Sequence, residues 1–334
     1  MSVSLPKVAF ISTGGTIASL GTGPRDILDY GANQTMLHAA EIAARVPELA
    51  EVAEVMAVRF RNVPSYRVFF PEWQELVTLC SKLEAEHPDL AGIVIAHGTA
   101  SMEETAYFLS LTLRTALPVV MVGSQRPASG LSTDANMNLL NAVRTAASPA
   151  ARGMGVLLLL NDEIHAAREV TKTSTFRLQT FRTPDFGVLG HADGDAVVFY
   201  RKPLRRTAPD TEFDIAGLAE LPRVDIAYAY TGSDGEAVRA FIAAGARGIV
   251  SAGFAPGFPG AAEEELLREA VRQGITVVQS TRAGSGRTFA GKRAREAGFL
   301  IADNLNPQKA RLLLALALTR SSDPEEIRRI FATY

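Results

Sequence analysis

The chain of 334 residues contains one cysteine, Cys80, which rules out any disulfide within the chain. Cys80 lies in the run 73–83 and reads as a buried structural thiol. No CxxC or HExxH spacing is present, and His38, His87, His97, His165 and His191 are scattered at no spacing typical of a metal site. Neither a metal nor another cofactor is therefore expected. Charge of one sign is also scarce. A formal net charge of −2 offers nothing to attract nucleic acid or an anionic membrane surface, so neither is expected as a partner. The longest apolar runs, 156–160 and 312–318, are far too short to span a bilayer. The first seven residues show no basic segment followed by an apolar one, so no secretory signal is visible and a cytoplasmic location is expected. There is no GxSxG elbow, no GxGxxG after a strand and no GxxxxGK[ST] loop, which leaves serine-hydrolase, dinucleotide-binding and phosphate-loop readings without support.

What is present is an ordinary globular composition, 47% hydrophobic and 21% charged, at a length that suggests two domains. Short β-branched runs alternate with helical patterns, as in α/β folds built on parallel sheets. Residues 8–11, 52–60, 90–96, 117–122 and 155–160 read as strands, and 34–44, 71–83 and a segment through Leu139, Leu140, Val143 and Ala147 as helices. The expected fold is α/β: a larger N-terminal domain with a mostly parallel, flavodoxin-like sheet over 1–200, a proline- and arginine-rich linker over 201–223, and a smaller α/β domain over 224–334. In the smaller domain, strands are expected near 224–229, 248–252 and 275–279. Helices are expected near 235–244, 261–273, 307–319 and 323–331.

The organising stretch is 97–105, His-Gly-Thr-Ala-Ser-Met-Glu-Glu-Thr, where a buried strand meets a glycine turn and a helix start. Ser101 and Glu104 have capping-box spacing, and Met102, Ala106 and Leu109 form a helical stripe. Thr99 is thereby left at the carboxyl end of a strand beside a helix N-terminus, where ligands bind in open α/β sheets. Gly14 and Gly15 allow a tight turn that puts Thr16 at the same edge, although such turns are also common without a function. The segment 20–33 reads as a mobile surface loop and carries Tyr30, in a position to serve on a lid. Asp134 is expected to cap the helix that follows it or to hold Arg126. Lys172 stands in a hydroxyl-rich stretch, 168–175. On spacing alone it is either a solvated surface charge or a lysine drawn into a site, where desolvation would lower its pKa.

Taken together, Thr13-Gly14-Gly15-Thr16-Ile17-Ala18, His97-Gly98-Thr99 running into Met102-Glu103-Glu104-Thr105-Ala106-Tyr107, and Val170-Thr171-Lys172-Thr173 resemble the bacterial asparaginase/glutaminase family. The similarity continues through Val122-Gly123, Arg126-Pro127, Ser251-Ala252-Gly253 and 305–311, so it covers essentially the whole chain. The resemblance implies amide hydrolysis through an acyl-enzyme on a small-molecule amide, and a homotetramer of close dimers with each site completed by a neighbour's small domain. Carried over, Thr16 is the nucleophile with Tyr30 beside it, and Thr99 and Lys172 form a second pair that relays protons or positions water. Gly15, Ser65, Tyr66, Gly98 and Ala100 fall at substrate-binding positions.

Four positions depart from the family pattern, all at the amino-acid end of the substrate. An aspartate that grips the α-amino group is replaced by Ala100, and a glutamine after the carboxylate-binding Ser65 is replaced by Tyr66, followed by Arg67. Phe254-Ala255-Pro256-Gly257 stands where an asparagine is expected, and a glutamate reaching across from the partner has no counterpart in 283–295. The expectation is an asparaginase-like amidohydrolase acting on an amide other than free L-asparagine. The alternatives are an ordinary L-asparaginase that takes its amino-group contact from elsewhere, such as Asp29 or Glu163, and a non-catalytic sensor of a small amide or amino acid.

Overall fold

The computed structural model describes residues 4–33 and 35–334. Met1, Ser2 and Val3 of the expected leaderless terminus, and Gln34, where the sequence reading opens a helix, lie outside the described residues. The chain divides into two compact units, one running to Glu212 and the other from Phe213 to Tyr334.

Among the described residues, the first unit is built on ten strands: β1 (Lys7–Ser12), β2 (Glu54–Val58), β3 (Leu90–Ala96), β4 (Val119–Val122), β5 (Val156–Leu160), β6 (Glu163–Ala166), β7 (Thr171–Lys172), β8 (Phe181–Arg182), β9 (Gly190–Ala192) and β10 (Val197–Phe199). Five helices accompany them: α1 (Ala39–Ala43), α2 (Leu49–Val52), α3 (Phe70–Glu86), α4 (Met102–Thr112) and α5 (Ala135–Ala147). Eight strands form one sheet in the order β10-β9-β6-β5-β4-β3-β1-β2, while β7 and β8 make a separate hairpin. From β2 to β5 every pairing is parallel, giving the 2-1-3-4-5 order of flavodoxin-like sheets. The edge strands β6, β9 and β10 are antiparallel.

The apolar runs are continuous because the parallel strands are buried on both faces. Alternate residues serve opposite cores. Val8, Phe10, Val94, Val120 and Leu157 pack with Ile42 of α1 and with Leu139, Ala142, Val143 and Ala146 of α5. Ala9, Ile11, Ile93, Ile95 and Met121 pack on the other face with Leu76, Cys80 and Leu83 of α3 and with Met102, Ala106 and Leu109 of α4.

The second unit has a four-stranded parallel sheet, β11 (Val224–Tyr228), β12 (Gly248–Gly253), β13 (Thr276–Thr281) and β14 (Leu300–Ile301), in sequential order. It carries α6 (Glu236–Ala243), α7 (Ala261–Arg272), α8 (Lys292–Glu296), α9 (Pro307–Leu318) and α10 (Pro324–Thr333). Asn306 caps α9 by accepting from the Lys309 N–H, and Asp323 caps α10 through the Glu325 N–H.

Two local expectations are corrected and a third is decided. The helix expected over 34–44 begins only at Ala39, because the chain ahead of it pairs with the loop after β1: the Leu37 N–H donates to the Ala18 carbonyl at 2.7 Å and the Leu20 N–H to the Thr35 carbonyl at 3.1 Å. Ser101 does not form the expected side-chain cap, since its hydroxyl donates instead to the Ser65 carbonyl at 2.7 Å. Asp134 does not cap α5 with its side chain; of the two roles expected of it, it takes the other and holds Arg126, through the backbone. Its carboxylate accepts from the backbone N–H groups of Gln125 and Arg126, both at 2.9 Å, and pins the turn after β4. Among the described residues no helix is long and apolar enough to cross a membrane.

Cys80 is buried between α3 and the sheet, and that burial pushes its thiol up to about 12. At pH 8 the native protein is therefore expected to react with a chromogenic thiol reagent only as fast as it unfolds, and fully once denatured. Immediate stoichiometric reaction of the folded protein would contradict the placement of Cys80.

Candidate active site

The strand order reverses direction between β1 and β3, and the loops leaving their carboxyl ends lie side by side there. This is the topological switch point at which open α/β sheets bind ligands. The two loops are locked together. The Thr13 N–H and hydroxyl both donate to the Ala96 carbonyl, at 2.9 and 3.1 Å. Gly14 and Gly15 adopt φ values of 100° and 87°, which L side chains rarely accept. A Cβ on Gly15 would lie 2.2 Å from the Gly98 Cα, so the two glycine turns touch backbone to backbone. A third loop closes on them: the Val63 N–H donates to the Thr13 carbonyl at 2.7 Å, and a Cβ on Gly98 would fall 2.7 Å from the Ser65 Oγ.

These contacts frame a cavity of about 350 Å³ lined by Gly15, Thr16, Tyr30, Ser65, Tyr66, Gly98, Thr99, Ala100 and Lys172, with Leu28, Met36 and Pro64 among the apolar walls. All nine residues singled out from the sequence therefore face one space. Four of them form two hydrogen-bonded pairs. Thr16 Oγ1 and Tyr30 Oη are 2.7 Å apart, and Lys172 Nζ donates to Thr99 Oγ1 at 2.8 Å. The loop bearing Tyr30 lies on the surface but is anchored: the Asp26 carboxylate accepts from the Thr22 and Asp29 N–H groups, and the Leu131 N–H donates to the Pro24 carbonyl at 2.7 Å.

Lys172 is half-buried in the β7–β8 hairpin. Burial lowers its pKa, and the charge of Glu103 partly opposes that fall. The hydroxyls of Thr173 and Thr180 serve the hairpin. Thr173 Oγ1 donates to the Thr180 carbonyl at 2.8 Å, and Thr180 Oγ1 to the Ser174 carbonyl at 2.5 Å.

No aspartate or glutamate is among the described residues that line the cavity. Ala100 brings no charge, and neither of the carboxylates named as possible substitutes reaches it. Asp29 is exposed on its loop, and Glu163 faces His165 and Arg182 on β6, where the His165 hydrogen bond holds its carboxyl below the usual range. Among the described residues, no group of three or more His, Cys, Asp or Glu side chains could hold a metal ion.

Two features escaped the sequence reading. One is a buried hydrogen-bond chain beneath the Thr99 turn. Trp73 Nε1 donates to Thr105 Oγ1 at 2.9 Å, the Thr105 hydroxyl faces His97 Nε2 at 3.1 Å, and His97 Nδ1 faces the Gly98 carbonyl at 2.8 Å. A carbonyl only accepts, so Nδ1 carries the proton and Nε2 accepts from Thr105. Desolvation lowers the pKa of His97 to about 4 despite the Gly98 hydrogen bond, and the ring stays neutral at pH 7. The other feature is Glu103, whose Oε1 accepts from the Lys172 N–H at 3.1 Å and from Thr171 Oγ1 at 3.2 Å. Its only sequence signal is its place next to Glu104, and nothing in the local pattern tells which of the two turns inward.

Comparison with known proteins bears on the chain as a whole. Residues 7–205 match the family model of the asparaginase N-terminal domain, and residues 223–331 that of the glutaminase/asparaginase C-terminal domain. The chain is 40% identical to L-asparaginase 2 of Bacillus subtilis (strain 168) over 330 residues, 99% of this chain and 87% of that protein. It is 36% identical to a glutaminase-asparaginase of Pseudomonas fluorescens biotype A over 334 residues, 99% of this chain and 91% of that protein. The crystal structure of a probable cytoplasmic L-asparaginase from Campylobacter jejuni superposes with a TM-score of 0.93 at 36% identity, over 98% of this chain and 100% of that one.

The neutral His97 makes stability depend on pH. Its folded pKa is lowered from 6.5 to about 4, so below pH 6.5 the unfolded chain takes up a proton that the folded one refuses, and stability falls as pH falls through that window. At about 1.4 kcal/mol per unit, the loss from this group reaches roughly 3 kcal/mol by pH 4. Urea unfolding at pH 7 and pH 4 is expected to show that extra loss relative to His97→Gln, which cannot titrate. Parallel pH dependences in the two proteins would remove His97 as the cause.

Proposed function

The chain belongs to the asparaginase/glutaminase family of hydrolases acting on amides, and from that premise we propose that Thr16 is its nucleophile. The observation that carries the reading is the pair of hydroxyl contacts, Thr16 with Tyr30 and Thr99 with Lys172, facing one cavity. A threonine hydroxyl is a poor nucleophile until a neighbour takes its proton. The Tyr30 oxygen is in hydrogen-bonding distance to take that proton as Thr16 Oγ1 attacks the amide carbon, while the phenol passes its own proton on to the leaving nitrogen. The oxyanion so formed needs donors fixed in advance, and the backbone N–H groups of the Thr99–Ala100 turn are suited to supply them. As the C–N bond breaks, the leaving nitrogen departs with a proton and leaves an ester on Thr16. Thr99 with Lys172 then directs a water at that ester, the water's proton passing toward the lysine. Lys172 is fitted to this because burial makes its neutral form easier to reach.

The substrate of this reading is a small amide without a free α-ammonium group. In support, Ala100 stands where the family's aspartate grips that ammonium, and the described lining holds no carboxylate. A buried ammonium with no partner costs several kcal/mol of binding. Free L-asparagine is the second reading, favoured by the names of the relatives at 36–40% identity. The proposed assembly is the homotetramer of close dimers that the resemblance implies.

Turnover of an amide panel separates the readings. Thr16→Ala is expected to lose roughly 10³-fold or more in kcat on whichever amide is consumed. Ammonia or amine release that survives this substitution would end the nucleophile assignment. Ala100→Asp is expected to raise kcat/KM for L-asparagine by about tenfold or more, the equivalent of about 1.4 kcal/mol. If the unaltered enzyme already turns over L-asparagine at the rate of its best amide, the substrate reading gives way to the ordinary asparaginase.

A further inference from the structure

Glu103 is a carboxylate that the steps above leave without a part, yet it is only 6% exposed and sits directly behind the reacting groups. It lies in the first turn of α4, a favourable place for a negative charge, three residues after Ala100. Its Oε1 accepts from the Lys172 backbone N–H and the Thr171 hydroxyl, while Lys172 Nζ donates onward to Thr99 Oγ1. One carboxylate thus holds the root of the lysine side chain, and the tip of that side chain holds the second threonine. An uncharged acceptor could anchor the hairpin equally well, so the charge calls for its own explanation.

The surroundings supply one. The residue following Thr99 is Ala100, and no carboxylate is among the described residues that line the cavity. Of the other titratable or charged groups around Lys172, Tyr30 is a phenol across the cavity. Arg182 lies on β8 opposite Thr171 in the hairpin, and its guanidinium is 3.6 Å from Glu163. Among the described residues, Glu103 is the negative charge that acts on the Lys172 ammonium.

We infer that Glu103 is a positioning residue for the amide hydrolysis proposed above: it fixes the backbone of Lys172 by hydrogen bonds and, through its charge, sets the pH at which the lysine gives up and takes back the proton shared with Thr99. The inference rests on the assignment of Lys172 to the relay. The sign follows from the two opposed effects. Burial favours the neutral amine, and the Glu103 charge favours the ammonium. Replacing the charge by a neutral amide leaves burial unopposed, so Lys172 titrates at lower pH.

Glu103→Gln keeps an oxygen that can accept from Lys172 and Thr171 and removes the charge, so it separates the two parts. Two readouts are used, both across pH on the full-length enzyme. The first is kcat on the best amide of the panel, with Thr16→Ala as the blank. The second is the fraction of Lys172 acetylated by a trace of acetic anhydride, mapped by peptide mass spectrometry, which reports the neutral amine without any turnover. The expected result is that the limb of the rate profile and the labelling midpoint of Lys172 both move to lower pH in Glu103→Gln. Midpoints that stay at the wild-type pH, with only stability or overall rate altered, would overturn the inference and leave Glu103 as a brace for the hairpin. If no amide is turned over in a Thr16-dependent way, the proposed function fails while the labelling midpoint still decides the role of Glu103. Should Glu103→Gln not fold, Glu103→Asp carries the test, because it keeps the charge on the same helical turn. A labelling midpoint at the wild-type pH supports the inference, and one displaced to lower pH overturns it.

Discussion

The backbone contact between Gly15 and Gly98 is the constraint on which the rest of the site depends. Two parallel strands lie 4.7–4.9 Å apart in ordinary sheets, so the loops leaving β1 and β3 start as neighbours. They become one surface only if no side chain intervenes. Any Cβ at position 15 would overlap the Gly98 backbone, and the φ of 87° there already disfavours every L residue. Hydrogen bonds from Thr13 to Ala96 and from Val63 to Thr13 hold the contact shut. Thr16 and Thr99 then emerge one residue beyond their glycines and line a single cavity. The precision of the site comes from the sheet edge and not from the loops' own stiffness.

Beneath that edge, polar groups are buried in two different ways with opposite electrical outcomes. The chain from Trp73 through Thr105 to His97 is uncharged throughout. Each member donates onward, and the last donor turns the Gly98 carbonyl toward the core. Such a chain is fully satisfied without an ion: the Gly98 carbonyl fixes the His97 tautomer, and desolvation keeps the ring neutral without destabilising the fold at neutral pH. Lys172 and Glu103 form the charged counterpart. They are not in an ion pair at their tips; the carboxylate engages the lysine's backbone, which leaves Nζ free to reach Thr99. A direct salt bridge would hold the ammonium in its charged form and turn it away from the hydroxyl. Separating anchor from tip leaves the amine able to exchange a proton.

Much of this was legible in the sequence, for reasons that differ from residue to residue. The five parallel strands announce themselves because burial on both faces demands unbroken apolar runs, as in 90–96 and 156–160. Thr16 and Thr99 were legible because a glycine turn at a strand's carboxyl end is a local pattern. Other features are set by partners distant in sequence. Ser101 and Glu104 have the spacing of a capping box, yet the Ser101 hydroxyl goes to Ser65, 36 residues earlier. Helix α1 starts late because residues 35–37 pair with the chain around Ala18 and Leu20. Glu103 became prominent only once β7 was placed against α4, an approach between residues 69 apart. The antiparallel edge strands and the hairpin are two to four residues long, too short to carry a periodic signal.

The distribution of change across the site is itself informative. Where the chain keeps the family pattern, the residues meet one another: Thr16 with Tyr30, Thr99 with Lys172, Gly15 with Gly98. At Ala100 and Tyr66, where the resemblance leads one to expect an aspartate and a glutamine, the residues line the same cavity, and Tyr66 is 73% exposed with the Arg67 guanidinium 5.8 Å from its ring. Groups that hold one another are hard to replace singly, because removing one leaves a buried partner unsatisfied at a cost of about 1–3 kcal/mol. Groups that face only the substrate carry no such penalty in the folded protein. A site assembled this way can exchange its recognition surface while its hydrogen-bonded pairs stay intact.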